Sequence, residues 1–336
     1  MSSKKILVTG AAGFIGYHLS KLLSIDHELT LIDNFTRNKL DSSISELINK
    51  SNVRFINADM TKKDFYADLD SQYDFIVHLA AINGTKYFYE KPYQVLNVNI
   101  LSLMNILEWI NGKNCKKFIF SSSSEAYAGT ISEFSHINEY LPTNEEIPLS
   151  IDNPFNERYS YGGSKLIGEL LTINYFKSIK SSSYSIVRYH NIYGPRMGNE
   201  HVIPEFCRRI YDKEDPFNIY GGHETRAFCF IDDAIEATKR VLFNKKCNGE
   251  IIHIGNDNEE IKIISLANKL LSMSDKDFDI KINPSPTGSV KRRCPDISKL
   301  KLLTNFQPKI NIDEGLKITS SWYFKNYKSS DKNKVI

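Results

Sequence analysis

The chain is predicted to fold as a doubly wound α/β domain, a parallel sheet covered by helices on both faces, with a smaller substrate-binding lobe toward its C-terminus. Three observations predict it: short apolar runs alternating with helical stretches, a glycine-spaced turn after the first run, and a length of 336 residues, more than one core usually fills.

Taken in order, Ile6-Leu7-Val8 is an apolar burst that ends in a glycine-rich turn, and Phe14 to Leu23 then carries apolar residues at helical spacing. Leu29 to Ile32 ends at Asp33, Val53 to Ile56 ends near Asp59, Phe75 to His78 precedes a small-residue turn, and Phe118 to Phe120 runs into Ser121-Ser122-Ser123-Ser124. Helices are expected over Tyr93 to Trp109 and Tyr161 to Ile179, with a further strand from Tyr184 to Arg188. Such alternation implies right-handed crossovers and a parallel sheet. Beyond Pro195 it weakens, and prolines and glycines over 196–226 and 259–325 suit a lobe built from insertions. The expected division is therefore 1–190 with 227–258 for the sheet domain, 191–226 with 259–325 for the lobe, and 326–336 for a flexible, lysine-rich tail.

The formal charge of +3 arises from 43 basic and 40 acidic residues mixed along the chain, which argues against nucleic acid as a partner. Five scattered cysteines show neither zinc spacing nor a disulfide framework, so no metal and a reducing, cytoplasmic setting are expected. No run of about 18 apolar residues occurs, and the N-terminus lacks a long apolar stretch, so neither membrane spanning nor secretion is expected.

Gly10, Gly13 and Gly16 lie at spacings of three between a strand and a helix. Missing side chains let backbone amides approach a pyrophosphate, and a helix start presents free N–H groups and a positive dipole end. A tight turn with no ligand would use glycine as well. Asp33 strengthens the dinucleotide reading: it ends the second strand roughly 20 residues on, where a carboxylate accepts from ribose hydroxyls. It also favours NAD over NADP by repelling a 2′-phosphate, although nearby Arg37 offers a phosphate a partner. The start of the chain thus reads as Rossmann-type. Asp59 serves equally as an adenine contact or a solvated turn acid.

Tyr161 and Lys165 stand four apart on a predicted helix and share a face. A cation beside a phenol lowers its pKa, so Tyr161 could take a proton from an alcohol while hydride leaves the same carbon. A surface pair has the same spacing. The serine run follows a strand, at the end where ligands sit in such sheets, and a Ser123 hydroxyl there could share the substrate proton; a serine-rich turn without chemistry is the alternative.

These pieces, with His78-Leu79-Ala80-Ala81, Asn99, Ser122 to Tyr127, Arg188 to Arg196, Arg226-Ala227-Phe228 and Arg293 to Asp296, resemble the extended short-chain dehydrogenase/reductases, specifically the NAD-dependent nucleotide-sugar epimerase/dehydratase family, over nearly the whole chain. The resemblance implies that Tyr161 is the base, that Lys165 tunes it and holds the nicotinamide ribose, and that Ser123, with Glu125 beside it, completes the catalytic group. It places NAD among Gly10, Gly13, Phe14, Ile15, Gly16, Asp33, Asn34, Asp59, Met60, Leu79, Ala80, Ala81, Asn99, Tyr161 and Lys165. Asn191, Arg226 and Arg293 would hold the nucleotide diphosphate, with Arg196 a further candidate and Val202 flanking the base. A homodimer through the helices of Asn99 and Tyr161 is implied as well.

Members of that family oxidise the sugar at C4, and the fate of the ketone defines the enzyme. A nucleotide-sugar 4-epimerase is the favoured expectation here. A UDP-glucuronate decarboxylase or a 4,6-dehydratase on the same scaffold is the alternative, and a non-catalytic NAD-binding protein is a third. Ser124-Glu125 replaces the Asp-Glu pair of dehydratases and also occurs in the decarboxylases, whereas Asn83 to Lys86 and Gly162-Gly163 depart from the usual pattern.

Overall fold

The computed structural model describes residues 2–37, 40–133, 140–179, 182–285 and 289–327. Its main sheet holds β1 (Lys5–Thr9), β2 (Glu28–Asp33), β3 (Val53–Asn57), β4 (Gln72–His78), β5 (Asn114–Ser123), β6 (Ser183–Tyr189) and the strand Ile251–Ile254. They pair in parallel in the order Ile251–Ile254, β6, β5, β4, β1, β2, β3. Burial on both faces explains why these strands read as apolar runs. Ile6 and Val8 enter one core with α1 (Phe14–Leu23), while Leu7 enters the opposite core with Leu103, Ile106 and Phe176. The strand order reverses between β1 and β4, which opens a crevice at their carboxyl ends.

The remaining helices of this half are α2 (Ser42–Ile48), α3 (Thr85–Glu90), α4 (Pro92–Ile110), α5 (Ala128–Glu133) and α6 (Tyr159–Lys177). α4 and α6 pack side by side, with Leu103 and Phe176 in one core cluster. Further along, Phe217–Tyr220 pairs with Ile280–Asn283, and Thr225–Ala227 lies between Glu260–Lys262 and Arg292–Arg293, so stretches far apart in sequence interleave beyond the sheet.

Of the expected tail, 328–336 lies outside the described residues. Asn326 instead closes the helix Ile312–Asn326, because Tyr327 donates to the Pro204 carbonyl (3.0 Å) and stacks on Tyr323, tying the chain end to the helix Val202–Tyr211. Among the described residues no helix is long and apolar enough to cross a membrane.

Candidate active site

The crevice begins where β1 ends. Gly10 turns with φ of +69°, and a Cβ there would stand 2.7 Å from the Ala80 nitrogen; one on Gly16 would stand 2.1 Å from the Gly10 oxygen. Glycine is required at both places by contact with backbone, whether or not a ligand is present. α1 starts after Gly13 with no side chain capping it, so its first N–H groups face the cleft.

Gly10, Gly13, Phe14, Ile15, Gly16, Asp33, Asn34, Asp59, Met60, Leu79, Ala80 and Ala81 all line this one cleft. Asp33 accepts from the backbone amides of Ala12 (3.0 Å) and Phe35 (2.8 Å), which fixes its carboxylate between the glycine turn and the loop after β2. Burial pushes its pKa up, and those amides oppose the shift. The Asp59 carboxylate accepts from the amide and hydroxyl of Thr61 (2.9 and 2.8 Å), a turn-capping role that coexists with its place on the cleft wall. An uncapped helix start, a glycine cradle and a carboxylate at the end of β2 suit a dinucleotide. Ile82, Asn83, Gln94, Val98 and Ser102 line the cleft too, and the sequence reading did not assign them to the cofactor.

Asn99 does not line the cleft. Its side-chain oxygen accepts from the Ile82 amide (2.7 Å), and its nitrogen donates to the Ile82 carbonyl (3.2 Å) and to the Ser164 hydroxyl (3.0 Å). It therefore ties the loop after β4 to α6.

At the end of β5 three successive serines meet one face of α6. The Ser121 carbonyl accepts from Lys165 Nζ (2.8 Å), Ser122 donates to Glu169 (2.5 Å), and the Tyr161 phenol lies beside Ser123. Ser121 also lines the cofactor cleft, which joins the two parts of the site. Tyr161 stacks on Phe88, centroids 4.8 Å apart, and Lys165 Nζ lies 5.4 Å from the Tyr161 ring centroid. Burial pushes the phenol up, opposed by the neighbouring Ser123, and pushes Lys165 down to about 7 against the pull of Glu169. The lowering of the phenol expected from Lys165 is not found: Ser123 and Arg37 lower it, and burial, which disfavours the charged forms of both Tyr161 and Lys165, outweighs them. Gly162 is accounted for: a Cβ there would stand 2.7 Å from the Glu125 oxygen, whereas Gly163 has room for one.

Glu125 is fully engaged. Arg158 Nε donates to one of its oxygens and Nη2 to the other (both 2.8 Å), while Arg293 Nη1 adds a third bond (2.5 Å). Two guanidiniums hold this carboxyl well below the usual range despite burial. It is thereby fixed as a carboxylate rather than poised to carry a proton. Arg293 keeps a buried Nη2 without a hydrogen-bond partner. Arg226 pairs with Arg293 across neighbouring strands and donates to Glu224 (2.9 Å), and burial and Arg293 push its pKa down to about 10. The Asn191 amide donates to the Ala227 carbonyl (3.0 Å), and Val202 opens the helix Val202–Tyr211. Arg196 is separate from this group: it pairs with Asp41, lies over Tyr17 and lines the cofactor cleft. Arg158 was missed, because only the folded chain brings it to Glu125.

The model of the "NAD dependent epimerase/dehydratase family" matches residues 6–255. A UDP-N-acetyl-alpha-D-glucosaminuronate decarboxylase of Bacillus cytotoxicus is 34% identical, with 95% of this chain and 98% of that protein covered. A UDP-glucuronate 4-epimerase of Thermodesulfobacterium geofontis is 31% identical over 95% of this chain and 96% of that protein. Among solved structures, a UDP-glucuronic acid 4-epimerase from Bacillus cereus in complex with UDP-glucuronic acid and NAD superposes with a TM-score of 0.81 at 30% identity, covering 96% of this chain and 100% of that one.

Proposed function

From the premise that the chain belongs to the NAD-dependent epimerase/dehydratase family, and is an NAD-dependent enzyme of nucleotide-sugar chemistry, we propose that it oxidises a UDP-linked uronate transiently at C4 and lets the 4-keto acid lose its carboxyl group. The observation that carries the reading is the meeting of Ser123, Tyr161 and Lys165 at the end of β5, beside the dinucleotide cleft. Ser123 and Tyr161 grip the C4 hydroxyl, Tyr161 takes its proton, and Lys165 orients the pair. NAD, when bound, supplies the hydride acceptor, and the residues that would hold it are those of the glycine turn with Asp33. The C4 ketone would then take up the electron pair as the bond from C5 to the carboxylate breaks and carbon dioxide leaves; C5 would gain a proton, and C4 would take back the hydride while Tyr161 returns a proton to its oxygen, so that the product differs from the substrate by carbon dioxide alone.

An acidic sugar is supported by the relatives named above and by Arg293, whose buried Nη2 has no hydrogen-bond partner while its Nη1 pairs with Glu125. Arg226 and Asn191 lie on the same side and are assigned to the diphosphate, with Val202 near the base, and residues 191–226 with 259–325 to the nucleotide-sugar lobe. Retention of the carboxylate with inversion at C4 is the second reading, favoured by the likeness to the glucuronic acid 4-epimerase. Incubation with UDP-glucuronate and its 2-acetamido analogue separates the two: a product lighter by one carbon dioxide supports decarboxylation, and an isobaric C4 epimer supports the second. If neither sugar changes, the uronate assignment fails.

A cytoplasmic homodimer is part of the proposal. Met104 on α4 and Ile167 and Leu170 on α6 expose apolar side chains on two adjacent helices, and a second copy could cover them.

A further inference from the structure

Tyr161, Lys165 and Glu169 recur every fourth residue along α6, and each meets one of three consecutive residues of β5: Ser123, Ser121 and Ser122. The first two belong to the proposed chemistry, and Glu169 does not. It is buried, and its carboxylate is saturated: Ser122 Oγ (2.5 Å) and Arg188 Nε (2.8 Å) donate to Oε1, and Arg188 Nη2 (2.7 Å) donates to Oε2. Arg188 lies on β6 and is anchored in turn on the Glu145 carbonyl (3.1 Å). One side chain therefore joins β5, α6 and β6 directly beneath the reacting end of α6. Gly168 shows how close that approach is, since a Cβ there would stand 2.2 Å from the Phe120 ring.

We propose that Glu169 is a positioning residue for the catalytic pair: clamped by Ser122 and Arg188, it fixes α6 over the end of β5 and sets its carboxylate one helical turn from Lys165. The inference rests on the reading of Tyr161 and Lys165 given above. The groups facing Lys165 support it. β5 offers the Ser121 carbonyl and the Phe120 ring, β4 offers His78, which burial holds neutral with its pKa near 3, and α6 itself offers Tyr161 and Glu169. Glu169, four residues along α6 from Lys165, is the carboxylate among them, and Arg188 holds it in place.

The sign follows. Lys165 acts as a cation, so losing the Glu169 charge lowers its pKa further and moves the alkaline limb of the kcat profile to lower pH. In Glu169→Gln the limb is expected to fall by about one pH unit, and Glu169→Asp, which keeps the charge, is expected to restore its position at a reduced kcat. Because the single Gln variant leaves Arg188 buried without a carboxylate, Glu169→Gln with Arg188→Met is made alongside it. The Lys165 Cε resonance in 13C-lysine-labelled protein, titrated in all four proteins, gives a readout independent of turnover. Parallel shifts of the resonance and the limb in the Gln variants uphold the proposal. A Lys165 titration unchanged in every folded variant overturns it and leaves Glu169 a core ion pair. Should Tyr161→Phe retain turnover while the Lys165 titration still shifts, the catalytic reading fails and the electrostatic one stands.

Discussion

Tyr161→Phe is expected to abolish turnover while NAD binding stays close to that of the parent, because the phenol oxygen moves a proton and contributes little to affinity. Calorimetric NAD titration beside an activity assay checks both halves. Asp33→Ala removes an acceptor assigned to the adenosine ribose and is expected to weaken NAD by about 1.5–3 kcal/mol; the same titration reads it, and unchanged affinity would contradict the ribose contact. Gly16→Ala forces a methyl against the Gly10 carbonyl, so loss of NAD binding or of folding is expected. These residues were legible in sequence because their information is local: a spacing of three after a strand, an acid at a strand end, a step of four on a helix. Arg158 and Glu169 were not, since their meaning depends on Glu125 and Arg188, which lie 33 and 19 residues away in the chain. Asn99 was assigned to the cofactor and is found tying Ile82 to Ser164, a distinction that only backbone partners could draw.

β1, β2, β4 and β6 were readable because parallel strands buried on both faces are rich in apolar residues, the edge strand β3 from Val53 and Phe55-Ile56 alone, and α1, α4 and α6 because they carry helical spacing over two turns or more. β5 was recognised only from Phe118 onward; its start at Asn114 is polar. The short strands of the lobe went unseen, since Thr225–Ala227 and Arg292–Arg293 hold too few residues for any period to register. The contact of α6 with the sheet is the element-scale feature most exposed to test. Arg188→Ala leaves Glu169 buried without its partner, and a loss of about 3–5 kcal/mol is expected in reversible denaturation. A loss below 1 kcal/mol, roughly the worth of an exposed pair, would mean that the clamp does not secure this interface.

For the whole molecule, the exposed apolar residues of α4 and α6 bear on assembly. Leu170 is 51% exposed, and Leu170→Glu is expected to convert a dimer to a monomer in light scattering; a parent already monomeric at working concentrations would remove the proposed interface. A change in the regularity of the chain after Pro195 marks the proposed boundary between sheet and lobe. The arrangement that brings Arg293 onto Glu125, across 168 residues, was not legible in the sequence. That pair ties Arg293 to Glu125, just past the strand that carries Ser123.

The central claim is that Tyr161 takes the proton as hydrogen leaves C4 of the sugar. It is tested most directly with UDP-uronate carrying deuterium at C4, turned over by the parent and by Tyr161→Phe. The account predicts slowed turnover of the deuterated substrate in the parent and no product from the variant. Equal rates for both isotopologues under conditions where C4 oxidation limits turnover, or product formed by the variant at a rate near the parent's, would contradict it.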